Sequence, residues 1–158
     1  MRDQSNSFFS RAFWDSLLFT QNKYHQHGVL MHTLHVVWEV VKAGRFSMLA
    51  AAFLHDIGKP FVAYKKDEED YLFDEWSFTD HEEKSYRIIQ KWPFISDYTK
   101  KLVRYHYLIR DLKKSQSEDP KRYKQKKGIW DQLDHALQAD LAEFLHYDDL
   151  GKGKRRRD

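Results

Sequence analysis

The 158-residue chain contains no cysteine. That excludes disulfides, thiolate-bound zinc and cysteine nucleophiles together, so any bound metal must be held by nitrogen and oxygen. Only three prolines punctuate the chain, and no internal repeat is visible. Long apolar runs are missing too. The opening stretch MRDQSNSFFSRAFWDSLLF is broken by Arg11 and Asp15, so neither a signal peptide nor a membrane span is read there. A cytoplasmic protein that makes no membrane contact is the expectation.

What is present is material for a core. Hydrophobic residues make up 41% and aromatics 16%, enough for one domain of this length to bury a substantial interior. The net charge of +3 is unevenly spread, because the tail KGKRRRD at 152–158 carries +4 by itself. A single domain over 1–151 followed by a basic, disordered tail is expected, and such a tail also offers weak contact with nucleic acid.

Apolar spacing of three and four predicts an all-α fold. Helices are read over 7–20, over 29–44 with its Gly44 stop, and from a Ser47 cap to about Gly58. The acidic and aromatic stretch 60–78 reads as a loop with a short strand pair. Thr79 and Glu82 match a capping box for a helix running from about Asp80 to Trp92. Another helix is read over 95–109. Residues 110–128, with eight Lys/Arg against three Asp/Glu, read as a flexible basic lip. A last helix takes in 129–150.

Nine histidines are many for this length. His25 and His27 fall in the polar segment QNKYHQHG and are expected to be exposed. His35 is expected to pair with Glu39, and His135 and His146 to sit at or near the surface. His32, His55 with Asp56, His81 and His106 are different, because each segment that would border a shared interior offers one of them. Asp148 adds a carboxylate from the last helix, on the row of Leu137, Leu141 and Leu145, with Asp140 and Asp149 as rivals. A buried polar group without a partner costs several kcal/mol, and a cation would be the partner. Imidazole with carboxylate suits divalent iron, manganese, zinc, nickel or magnesium without choosing among them. Asp56 can bridge two ions while His55 serves one, and a pair about 3.5–4 Å apart clamps a phosphoryl group. Lys59, a turn beyond Asp56, can meet a phosphate oxygen.

These segments resemble the HD-domain metal-dependent phosphohydrolases, whose pattern is H…HD…D with added histidines in two-metal members. LMHTLHVV, FLHDIGKP, FTDHEEKS and LVRYHYLI match in order, and LHYDDLGKG is similar to the ending seen in HD regions of bacterial tRNA nucleotidyltransferases. The resemblance covers roughly residues 20–152. It implies a bundle of about six helices with the metal site in its interior. His32, His55, Asp56, His81, His106 and Asp148 would be the ligands of two divalent ions. Asp56 and Lys59 would be catalytic, with Lys59, Tyr24 and Arg110 meeting substrate. The implied reaction is hydrolysis of a nucleotide or nucleic-acid phosphate, mono- or diester, by a metal-activated water, on a phosphate-containing small molecule or an RNA end. Two departures stand out: Asp80 replaces a glycine, and Tyr147 a small residue. A minority of HD proteins resemble inositol oxygenase, with a di-iron centre that a loop tyrosine such as Tyr24 can approach. A non-catalytic nucleotide-binding HD module is the third reading.

Overall fold

The computed structural model describes residues 6–19 and 21–153, so the basic tail beyond Gly153 lies outside the described residues. The fold is all-α, with one two-stranded ribbon. The elements run α1 (Arg11–Leu18), α2 (Val29–Lys42), a 3-10 turn (Phe46–Met48), α3 (Leu49–Leu54), α4 (Lys59–Val62), β1 (Ala63–Tyr64), α5 (Glu68–Leu72), β2 (Ser77–Phe78), α6 (His81–Ile89), α7 (Asp97–Tyr105), α8 (Leu108–Glu118), α9 (Pro120–Asp131) and α10 (His135–Gly151). β1 and β2 pair antiparallel, Ala63 opposite Phe78, the short strand pair expected within 60–78. No helix among the described residues is long and apolar enough to cross a membrane.

Side chains set several helix starts. Ser10, Asp67, Ser96, Asp119 and Asp134 each accept a backbone N–H from the first turn of the helix that follows, satisfying donors that a helix leaves unpaired. The last two explain the largest difference from the sequence reading. The expected flexible lip at 110–128 is a helical hairpin, α8 and α9, with Asp119 and Pro120 turning the chain between them. Buried Asp111 holds it together: Arg122 donates to both its oxygens at 2.8 and 2.9 Å, and Lys126 lies 2.9 Å away. The final helix expected over 129–150 is likewise divided, because Asp134 starts α10 afresh.

Two expected caps do not form. Ser47 falls inside the 3-10 turn, and no side chain caps α3. Thr79 does not cap α6 either; its hydroxyl bonds to Tyr64 instead at 2.7 Å. Asp80 takes the position before α6 with φ 54°, a left-handed conformation that glycine adopts freely and aspartate tolerates better than most residues. Asp80 therefore fills a turn whose geometry accounts for the glycine that the resemblance led one to expect.

One core joins the layers. Val36 and Val40 from α2, Ala51 and Ala52 from α3, Ile89 from α6, Leu102 and Val103 from α7, and Leu137, Leu141 and Phe144 from α10 are buried in one cluster. The buried row of α10 continues from Phe144 to Asp148 and Gly151, and that of α2 runs through His32, Val36 and Val40. The helical period that builds the core thus delivers His32 and Asp148 inward. Two glycines permit the closeness. A Cβ on Gly151 would lie 2.4 Å from Val36 Cγ2, and one on Gly58 would lie 2.5 Å from the Ser85 nitrogen and 2.7 Å from the His81 carbonyl oxygen.

Candidate metal centre

His32, His55, Asp56, His81, His106 and Asp148 are all buried and meet in one place. His32 Nε2 lies 2.9 Å from Asp148 Oδ1 and 3.4 Å from Asp56 Oδ2. His55 Nε2 is 3.2 Å from the same Asp56 oxygen and 3.6 Å from Asp148 Oδ1. The other Asp56 oxygen, Oδ1, faces His81 Nε2 at 3.5 Å and His106 Nε2 at 3.8 Å. Asp56 thus divides the site, with Oδ2 turned to one pair of imidazoles and Oδ1 to the other.

Backbone carbonyls set the orientation of three of the four rings, while His32 Nδ1 has no partner among the described residues. The Nδ1 atoms of His55 and His106 donate to Ala52 and Val103 oxygens, each one turn back, at 2.9 and 2.6 Å. His81 Nδ1 reaches the Phe78 oxygen at 3.3 Å. A proton held at Nδ1 leaves Nε2 as a lone pair aimed at the centre, the arrangement that metal-binding imidazoles use. The groups His32, His55, Asp56 and Asp56, His81, His106 each offer ligand atoms within 4.8 Å of one another.

Electrostatics point the same way. Burial and the neighbouring Lys59 push His81 down to about 3, while burial and His55 push His106 down to about 4, so both rings are neutral at pH 7. Burial opposes charge on His55, but Asp56 and Asp148 outweigh it and hold the ring at about 10. Burial also opposes ionisation of the two carboxylates. Charges on His55 and Lys59 hold Asp56 well below the usual range, and bonds from His32 and His55 do so for Asp148. Neither oxygen of Asp56 has a hydrogen bond of sound geometry, although Lys59 Nζ makes an ion contact at 2.7 Å. Two buried carboxylates among four imidazoles, with the His81 and His106 rings neutral, form a site for cations, and the residues present fit divalent ions.

The surrounding groups sort the remaining candidates. Lys59 is buried, and Gln21 Oε1 accepts from its Nζ at 2.9 Å. Arg110 donates to Asp148 Oδ2 at 2.9 Å and is paired with Asp149. Asp149 sits at the edge, shared between Arg110 and Lys152. Asp140 is elsewhere, bonded to Arg45 and the Tyr98 hydroxyl. Of the three rival carboxylates, Asp148 is the one brought to the centre. Tyr24 is half-exposed and lines the outer part of the cavity.

Two residues in the loop between α1 and α2 escaped the sequence reading. Gln21 is fully buried, and no periodic signal marks it. His25, expected to be exposed, is buried against His32 with ring centroids 5.1 Å apart. Burial and the charge on Lys59 hold it well below its ordinary range. His35 meets His27 edge-on rather than pairing with Glu39, whose carboxylate pairs with Lys42.

The centre opens into a cavity of about 560 Å³, lined by Tyr24, His25, Lys59, Arg110, Lys114 and Lys152 among others. A larger groove of about 1320 Å³ runs past Tyr64, Arg87 and Arg104. It shares none of the six central residues.

A helical bundle that gathers four imidazoles and two carboxylates in its interior is an all-α domain built around a cation site. The chain matches the HD domain family over residues 29–146, and it belongs to that family. No curated protein and no solved structure gives a significant match.

Proposed function

We propose that the protein is a metal-dependent phosphohydrolase that acts on the phosphate of a nucleotide or of a nucleic-acid end. The observation that carries this reading is the division of Asp56, one oxygen toward His32 and His55 and the other toward His81 and His106. Asp56 would bridge two divalent ions, with His32, His55 and Asp148 on one side and His81 and His106 on the other. When bound, such a pair supplies positive charge for a phosphoryl group and a hydroxide at neutral pH.

The chain's own residues complete the task. Lys59, held by Gln21, offers a fixed positive charge to a phosphoryl oxygen as negative charge builds there. Arg110 fixes the orientation of Asp148 and lines the same cavity. Lys114 and Lys152 stand on the same wall, so the entrance attracts anions. A cavity of this size suits a mononucleotide or the last residue of an RNA strand. The basic hairpin and the tail at 152–158 would draw a longer nucleic acid, with affinity that falls steeply as salt rises.

Elemental analysis of freshly purified protein with a phosphate-release screen over nucleotides tests the reading. About two equivalents of metal per chain, with turnover lost in Asp56→Ala, is the expected result. Turnover that needs oxygen and bound iron would assign the oxidative branch of the family. A metal-free, inactive protein would leave a binding module.

A further inference from the structure

We propose that His25 recognises a hydroxyl on the substrate, carried close to the reacting phosphate. The inference rests on the reading above only in taking the ligand to be a phosphate compound.

Asn22 Oδ1 accepts the backbone N–H of Tyr24 at 3.1 Å, which identifies that atom as the amide oxygen. The same oxygen lies 2.8 Å from His25 Nδ1, so Nδ1 carries the ring proton. The neutral imidazole then presents Nε2 as a bare acceptor. Among the described residues, Nδ1 has the ring's one side-chain hydrogen bond. His25 lines the cavity that holds Asp56, Lys59, Arg110 and Asp148.

The cavity narrows what such an acceptor can meet. A phosphate oxygen would face it lone pair to lone pair. An ammonium group would meet four cations, Lys59, Arg110, Lys114 and Lys152, against the three carboxylates Asp56, Asp148 and Asp149 in the same space. An alcohol hydroxyl donates without carrying charge, and a sugar phosphate carries one beside its phosphate. The edge-on contact with His32 places His25 one ring away from the centre, so the hydroxyl must lie within a few bonds of the phosphate.

The loop is fixed where this role needs it to be. Gln26 donates its backbone N–H to the Lys152 oxygen at 2.9 Å. Gln21, four residues before His25, holds Lys59 and donates to the His27 oxygen at 3.4 Å. The segment that fixes the phosphate-facing cation therefore also fixes His25. A vicinal arrangement, with the phosphate on one carbon and the hydroxyl on the next, is the pattern this pair reads.

Calorimetric binding of adenosine 3′-phosphorothioate and its 2′-deoxy counterpart to the manganese-loaded protein tests the inference. The wild type should bind the ribo form about tenfold or more tightly than the deoxy form, because an acceptor built for a hydroxyl is left unpaired by the analogue. His25→Ala should bring the two affinities within about twofold of each other. His25→Gln, whose amide oxygen reaches toward the Nε2 position, should restore part of the preference. Both ligands meet the same variant, so a general loss of affinity cancels in the ratio. If His25→Ala does not fold, His25→Phe keeps the ring volume without the acceptor. Equal affinities in the wild type, no binding of either ligand, or a preference that survives in the variants would overturn the proposal. Discrimination by a protein that releases no phosphate in the nucleotide screen would sink the phosphohydrolase reading and leave this one standing.

Discussion

Lys59 Nζ lies 2.7 Å from Asp56 Oδ2, on the buried floor of the cavity, one turn along from the aspartate. Its other polar contact is Gln21 Oε1 at 2.9 Å. The lysine is thus positioned rather than free, and the two contacts have separate consequences. Lys59→Ala should lower phosphate turnover by about 10²-fold, the usual effect of removing one charge-stabilising donor. Metal content should stay near that of the wild type, since Lys59 is not among the six groups that would hold metal. Gln21→Ala leaves the charge but removes its holder, and a loss of about tenfold is expected. Steady-state kinetics beside metal analysis would check both, and loss of metal in Lys59→Ala would contradict the assignment.

The division of Asp56 makes the two halves of the centre separable. His81→Ala and His106→Ala remove groups that face Oδ1 only, so each variant should retain about one equivalent of metal where the wild type holds about two. Asp56→Ala removes both faces and should retain almost none. Elemental analysis after gel filtration reads this directly. Two retained ions in either histidine variant would show that Asp56 is not the bridge.

How much of this was legible depended on periodicity. His32 and Asp148 lie on rows of apolar residues spaced by three and four, so the core pattern itself pointed them inward, and FLHDIGKP carried the adjacent pair. Gln21 and His25 lie in a loop, where burial depends on what packs over it and no local pattern reports that. The hairpin of α8 and α9 was missed for another reason. Its charge suggested a solvated lip, but Asp111 gathers two of those cations by side-chain contact, and composition does not show pairing. Thr79 and Glu82 had the right spacing for a cap, yet a distant hydroxyl, that of Tyr64, took the threonine.

That aspartate gives a stability test outside the centre. Asp111→Ala would leave Arg122 and Lys126 without their carboxylate. Arg122 is about half-exposed, so solvent screening reduces the cost to about 1–2 kcal/mol. Burial opposes ionisation of Asp111, but bonds from Lys126 and Arg122 keep it ionised below the ordinary carboxylate range. Its contribution is therefore present above the unfolded value and lost as pH falls through the folded one. Thermal unfolding at pH 7 should show the deficit. Hydrogen exchange should show faster opening of 119–131 than of α10.

Asp80 offers a backbone test. Its φ of 54° is costly for a branched side chain, by roughly 1–2 kcal/mol, and harmless for glycine. Asp80→Val should lower the unfolding midpoint and Asp80→Gly should leave it nearly unchanged. Equal effects of the two variants would mean that the turn does not constrain α6.

The metal-free protein should have its stability maximum near pH 6.5, with the sign set by opposite shifts inside one centre. His81 and His106 are held down at about 3 and about 4 by burial and nearby cations. Below the ordinary histidine value of about 6.5, the unfolded chain takes up protons that the folded rings refuse, so stability falls as pH drops. His55 is held up at about 10, Asp56 and Asp148 overriding its burial. Its contribution is complete below about 6.5 and is lost as pH rises through the folded value. Ligation requires each ring to offer a lone pair at Nε2, so a bound ion displaces the His55 proton. Apparent metal affinity should then rise by about tenfold per unit between pH 7 and 9. Thermal scans of chelator-treated and manganese-loaded protein over pH 5–9.5 would separate these effects. The chelated protein should lose stability on both sides of the maximum, and the loaded protein should gain on the alkaline side. A chelated protein that grows more stable from pH 7 to 9 would show that His55 does not keep its proton between the two carboxylates.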